Sequence, residues 1–235
     1  MIENHTTCSR VSETKICPFC YSQKIIKNGH TKTHKQQYYC KTCLKRFLDY
    51  YTYNAYISNI NTQIIKFTKE GLGIRSTARV LKISVTTVLK RIIAIAKGIP
   101  RPVLPLNKKY EMDEMRFFIR KKKNEMWLAY AIESETKQVA NFYIGKRNNN
   151  TLKAVIKTLE NSNAVKIFTD GLKNYSYLIP NKIHIVKRYA TNSIERKNLS
   201  IRIHLKRFSR KTICFSRNMI VTISVLRIYF WCKCM

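Results

Sequence analysis

The chain has 235 residues, with 45 Lys or Arg against only 13 Asp or Glu, a formal net charge of +32. Self-repulsion of that size opposes a compact state unless a polyanion shares the surface, so nucleic acid is the expected partner. The 45% hydrophobic content excludes a disordered polycation. Met1–Ser12 shows no secretory leader, and the longest apolar tract, Met219–Trp231, is interrupted by Arg227 and too short for a bilayer. The expected location is therefore the cytoplasm, in association with the nucleoid and with no membrane.

In chain order, the first signal is a pair of knuckles, Cys17-Pro18-Phe19-Cys20 and Cys40-Lys41-Thr42-Cys43. Two such pairs supply the four thiolates of a tetrahedral structural zinc site, and in a small module the metal-binding energy is largely the folding energy. Strand-like Lys24–Lys27, a turn at Asn28-Gly29 and strand-like Gln36–Tyr39 between them complete a zinc ribbon pattern. Lys24, Lys27, His30, Lys32, His34, Lys35 and Tyr38 are expected on its surface, facing DNA. Cys8, Cys214, Cys232 and Cys234 have no such spacing and are read as free thiols.

From Asn61 the apolar period becomes helical. Ile64, Ala78, Val80, Leu81, Ile83, Val88 and Leu89 give one buried stripe per helix, Gly71 and Gly73 end the first helix, and Ser84 caps the third. Ser76 to Ser84 reads as the second helix and turn of a helix-turn-helix, with Thr86, Thr87, Lys90 and Arg91 directed at a major groove. The plain alternative is a three-helix packing unit with solvated lysines. Gly98 to Pro105 then marks a linker.

Three strand-like runs follow, Tyr110–Ile119, Glu125–Glu133 and Gln138–Ile144, then a helix over Asn150–Glu160, a strand at Val165–Thr169, a helical stretch near Leu172–Leu178, a short strand at Ile183–Val186 and a helix from Ser193. That is the element order of a ribonuclease-H-like α/β fold. Acids are scarce in this half: after Glu135 only Glu160, Asp170 and Glu195 remain. Asp113 and Asp170 lie in or just after strands and Glu195 opens a helix, an arrangement that can bring three carboxylates to one rim of a sheet. There they would bind magnesium, or manganese, for an in-line phosphoryl displacement. Thr169-Asp170-Gly171 alone passes equally as a turn signal. No activated Ser, Tyr or Cys constellation suggests a covalent intermediate.

Tyr110-Glu111-Met112-Asp113-Glu114, Trp127 to Ala131, Thr169-Asp170-Gly171, Lys187-Arg188-Tyr189, Ile194 to Leu199, and the run through Arg202, Leu205, Arg207 to Thr212 and Phe215 to Arg217 resemble the IS-one family of bacterial insertion-sequence transposases. The resemblance implies a zinc finger and helix-turn-helix that bind terminal inverted repeats, followed by a DDE catalytic domain with Asp113, Asp170 and Glu195 as the carboxylates. It also implies that basic residues near and after Glu195 hold DNA: Lys187, Arg188, Arg196, Lys197, Arg202, Lys206, Arg207, Arg210 and Lys211. Arg116 and Leu172 depart from aromatic positions of the family pattern. The expected organisation is a zinc ribbon at 12–52, a helix-turn-helix at 58–98, a linker at 99–108 and the catalytic domain at 109–235. The expected activity is metal-dependent cleavage and strand transfer on double-stranded DNA, both repeat ends and target, by a homo-oligomer. The alternative is an inactive copy or a DNA-binding repressor of the element.

Overall fold

The computed structural model describes residues 15–48, 53–187 and 189–232, so Cys8, Arg188 and Cys234 lie outside the described residues. The chain forms two compact units, divided between Tyr56 and Ile57. In the first, β1 (Ile25–His30), β2 (Gln36–Cys40) and β3 (Arg46–Leu48) make an antiparallel sheet in that order. Asn28-Gly29 is not the turn between them: β1 continues through it with a bulge between Lys27 and His30, Gly29 supplying φ +69°. The chain reverses instead at Thr31–Lys35, where His34 takes φ +57° and Thr31 N donates to Lys35 O. Tyr38, expected at the surface, is buried and stacks on Phe47 with ring centroids 5.7 Å apart. Its backbone pairs with that of Phe47, which puts both rings on one face. Among the described residues the buried cluster of this unit is Cys17, Tyr38, Cys40 and Phe47, too little apolar surface to hold a module by itself.

In the second unit, α1 (Ile60–Lys69), α2 (Ile74–Leu81) and α3 (Val85–Gly98) follow the predicted pattern closely. Ser84 caps α3 by accepting from Thr87 N at 3.1 Å. Ile64, Ala78, Leu81, Ile83 and Val88 are buried, whereas Val80 faces solvent. Gly71, at φ +82°, lies so close to the end of α6 (Asn192–His204) that a Cβ there would meet His204 O at 2.3 Å.

The remaining sheet has strand order β6-β5-β4-β7-β8, from β4 (Lys109–Ile119), β5 (Lys121–Glu133), β6 (Val139–Gly145), β7 (Lys166–Thr169) and β8 (His184–Val186). The first three form an antiparallel meander, and β7 and β8 add in parallel. This is the ribonuclease-H-like topology. β4 is central and largely buried on both faces, although five of its eleven residues, Lys109, Glu111, Asp113, Glu114 and Arg116, are charged. Tyr110 and Met112 pack with Leu152, Val155, Ile156 and Leu159 of α4 (Asn149–Asn161) and Tyr175 of α5 (Lys173–Leu178). On the other face Tyr130 bonds to α6, and Phe117 packs on Phe208 at 4.8 Å.

The apolar tail is a helix, α7 (Met219–Trp231), capped by the Asn218 side chain. It packs against α1 and α3 on one side and against β5 and β6 on the other, where Phe230 stacks on Tyr130 and Trp231 Nε1 donates to Val139 O at 2.9 Å. A helix covered on both sides has no polar face to keep, which explains the composition. Residues 99–108 connect α3 to β4, and Arg227 of α7 bonds to Ile99 O. Among the described residues no helix is long and apolar enough to cross a membrane.

Candidate active site and cysteine centre

Parallel pairing of β4 with β7 runs Lys109 with Lys166, Tyr110 with Ile167 and Glu111 with Phe168. Two residues beyond the last of these pairs come Asp113, still in β4, and Asp170, the first residue after β7, on neighbouring strands spaced about 4.8 Å apart. A cleft of about 440 Å³ at that edge is lined by Asp113, Glu114, Asp170, Thr191, Glu195, Asn198, Arg202 and Arg210. The three predicted carboxylates therefore share one cleft.

Each carboxylate is held by a short protein contact. Asp113 Oδ1 accepts from Glu114 N at 2.7 Å and Oδ2 from Asn198 Nδ2 at 2.5 Å. Asp170 Oδ1 accepts from Leu172 N at 3.2 Å, a turn that lets the chain leave β7 and enter α5. The turn reading and the site reading of Asp170 are compatible. Glu195 Oε1 accepts from Thr191 Oγ1 at 3.0 Å. Burial raises the Asp113 carboxyl to about 6, with the charges of Glu114 and Asp170 adding to the shift and the Glu114 N–H and Asn198 amide opposing it.

Three hard carboxylates in one cleft, one of them destabilised as an anion by burial and then by its neighbours' charges, fit a divalent cation, which would stabilise the charged form. Among the described residues the four cysteines form a separate candidate metal centre, their ligand atoms all within 4.8 Å of one another.

The raised Asp113 value gives a signed pH dependence. A carboxyl whose folded value lies above its unfolded value contributes stability below the unfolded value and loses it as pH rises through the folded one. Between about pH 4 and 6 the protein without divalent ions should lose stability to Asp113 ionisation. Asp113→Asn should therefore be more stable than the wild type by about 1–3 kcal/mol at pH 7.5 in chelator, with most of the gap closing by pH 4.5. Urea melts at the two pH values check this; a gap of the same size at both would contradict it.

Sequence reading missed three lining residues. Glu114 stands in the quoted acidic word, but strand alternation turns it to the opposite face from Asp113. There its buried carboxylate accepts from the Tyr175 hydroxyl and from Arg147 Nη2 at 3.2 Å. Asn198 follows Glu195 by three residues on the same helical face, a spacing visible in the sequence. Thr191 carried no signal of its own.

The four cysteine thiols converge: Cys17 Sγ to Cys43 Sγ is 3.6 Å and Cys20 Sγ to Cys40 Sγ is 3.5 Å. A tetrahedral ion with bonds of about 2.3 Å would set such edges near 3.8 Å, so the cage fits zinc with little adjustment. Sharing one site splits the thiols. The Cys43 N–H, with Thr42 N–H and neighbouring thiols, pulls Cys40 down to about 6. Cys20, though helped by the Ser22 N–H, is pushed up to about 12 by burial and the other thiols.

The predicted DNA-facing residues divide by exposure. Thr86 and Lys90 are exposed, Thr87 is half-buried, and Arg91 donates to Asn61 Oδ1 at 2.8 Å. Lys187, Arg196, Lys206, Arg210 and Lys211 are exposed, while Lys197 and Arg202 are half-buried. Arg207 is also half-buried, and burial lowers its guanidinium pKa. Arg202, Lys206, Arg210 and Lys211 line a groove of about 750 Å³ that shares Arg202 and Arg210 with the carboxylate cleft.

Residues 51–93 match the InsA C-terminal domain, a helix-turn-helix of IS1 elements. The chain is 34% identical over 109 residues to the insertion element iso-IS1n protein InsB of Shigella dysenteriae and 35% identical over 109 residues to the IS1 protein InsB of Shigella sonnei, in each case covering 46% of this chain and 83% of the relative. Among solved structures, the HTLV-2 integrase catalytic core domain in complex with magnesium is similar at 15% identity and a TM-score of 0.34, covering 55% of this chain and 86% of that one. Residues 109–234, more than half of the chain and the whole of the carboxylate cleft, match the IS1 transposase DDE domain, and the protein belongs to the IS1 transposase family.

Proposed function

We propose that the protein cuts the phosphodiester at each end of its element and joins the freed 3′ end to target DNA, with Asp113, Asp170 and Glu195 as the catalytic carboxylates. The observation that carries this is the shared cleft of those three acids beside a basic groove in a chain otherwise poor in acid. The carboxylates would hold magnesium or manganese, which supplies charge neutralisation at the phosphoryl oxygens and an activated nucleophile. Asn198 and Thr191 orient two of the acids, and Arg202 and Arg210, at the junction of cleft and groove, would draw the phosphate backbone to the rim. In the first step water attacks phosphorus and the bond to the 3′ oxygen breaks. In the second, that 3′ hydroxyl attacks a target phosphodiester, one P–O bond replacing another. No protein nucleophile is needed.

We further propose the division of labour expected from sequence: a zinc ribbon at 12–52 and a helix-turn-helix at 58–98 that read the inverted repeats, a connector at 99–108, the catalytic domain at 109–235, and a homo-oligomer that pairs the two ends. The setting is the bacterial cytoplasm, on nucleoid DNA. Thr86, Thr87, Lys90 and Arg91 would reach bases, whereas Lys187, Arg188, Arg196, Lys197, Lys206, Arg207 and Lys211 would hold backbone.

Arg91→Ala should weaken binding to the repeat by about 1–3 kcal/mol and relax its sequence preference. Lys206→Ala should weaken binding to all sequences alike and reduce the salt slope by about one. Competition binding on repeat and scrambled duplexes at several salt concentrations reads both; equal losses on the two DNAs for Arg91→Ala would reverse the assignment.

A further inference from the structure

Glu111 is an acid that the chemistry above leaves unused, and it is 4% exposed on the strand that carries Asp113. Its Oε2 accepts from the backbone N of Ile194 at 2.9 Å, in the first turn of α6. Its Oε1 accepts from Lys137 Nζ at 3.3 Å, and the same ammonium donates to Ser193 Oγ at 2.6 Å. Thr191, the N-cap residue of α6, makes no capping bond, its hydroxyl going to Glu195 instead. The first-turn N–H groups of a helix need an acceptor, and an anion there also meets the positive end of the helix dipole. Glu111 does from a neighbouring strand what the helix's own cap does not.

The two contacts between strand and helix form a ladder. Glu111 and Asp113 share one face of β4, and Ile194 and Asn198, four apart, share one face of α6. The rungs are Glu111 to Ile194 N and Asp113 to Asn198 Nδ2, with Tyr130 OH bonding Asn198 Oδ1 at 2.8 Å. Glu195 lies between them on the same helix and is itself exposed. We infer that Glu111 is a positioning residue for strand cleavage, setting the distance of the Glu195 carboxylate from Asp113 by capping α6 from the central strand. This rests on the reading that Asp113, Asp170 and Glu195 hold the metal ions. Lys137 completes the clamp by tying Glu111 to Ser193.

The test compares the full chain with Glu111→Ala, Glu111→Gln and Lys137→Met, using Mn²⁺ titrations of single-turnover cleavage on a repeat-end duplex, with thermal melting and duplex binding alongside. Glu111→Ala should fold and bind the duplex, but need about 10–100-fold more Mn²⁺ for half-maximal cleavage and recover rate at high metal. Glu111→Gln, whose amide oxygen can still accept from Ile194 N, should stay near the wild type, and Lys137→Met should fall between. A folded Glu111→Ala with the wild-type metal dependence overturns the inference, and so does a rate loss with an unchanged midpoint. If Glu111→Ala does not fold, Lys137→Met decides, because Lys137 is half-exposed; an unshifted midpoint there overturns it. Asp113→Asn and Glu195→Gln run in parallel: cleavage by either at the wild-type rate removes the underlying active-centre reading, whereas dead controls beside a wild-type-like Glu111→Ala remove only the positioning role.

Discussion

Asp113→Asn, Asp170→Asn and Glu195→Gln should each reduce strand cleavage by about 10³-fold or more, since a metal-stabilised phosphoryl transition state is worth several kcal/mol and each 1.4 kcal/mol is tenfold in rate. Binding to repeat-end duplex should stay intact, because the helix-turn-helix and the basic groove are built from other side chains. The three losses should not add. The acids line one cleft and act as one unit, so a double variant should be no worse than the worse single one. Glu114→Gln is the contrasting case. Its carboxylate is committed to Tyr175 and Arg147, so its replacement should cost folding stability before it costs chemistry. A single-turnover assay on labelled duplex separates these outcomes, and an active Asp170→Asn would remove Asp170 from the site.

The second large effect concerns the cysteines. Cys40→Ser, or exhaustive chelation, should unfold residues 15–48 and leave the second unit folded. Among the described residues the buried cluster of the first unit has four members, two of them the ligands Cys17 and Cys40, so zinc binding there is most of the folding energy, about 10–16 kcal/mol in comparable small modules. The second unit has its own sheet and helices. Elemental analysis should give one zinc per chain, and hydrogen exchange should show protection lost only across 15–48 on chelation. Full protection there in zinc-free protein would contradict the cage.

Most of the fold was legible because the periodicities were clean. α2 (Ile74–Leu81) overlaps the run Ser76 to Ser84 read as the second helix and turn, and Ser84 caps α3 as its type and position suggest. The two cysteine pairs were legible because ligand spacing is local. What escaped depended on contacts between distant segments. Tyr38 reads as a surface residue because only the pairing of β2 with β3, itself too short to read, turns it onto Phe47. Asn28-Gly29 looked like a turn and became a bulge, since the same φ > 0 serves both. The apolar tail could not be placed from its own sequence, because a helix covered on both sides shows no stripe. At the candidate site the three acids stood out by scarcity. The bonds that hold them, from Asn198, Thr191 and Leu172, needed the strand and helix faces to be known first.

Direct measurement of Mn²⁺ bound to the full chain, by electron paramagnetic resonance at pH 7.5, tests the metal centre without relying on catalysis. The wild type should bind the ion at a site from which excess Mg²⁺ displaces it, and Asp113→Asn and Glu195→Gln should weaken that binding by at least about tenfold. Wild-type affinity retained in both variants would show that the carboxylates of the cleft do not hold the ion.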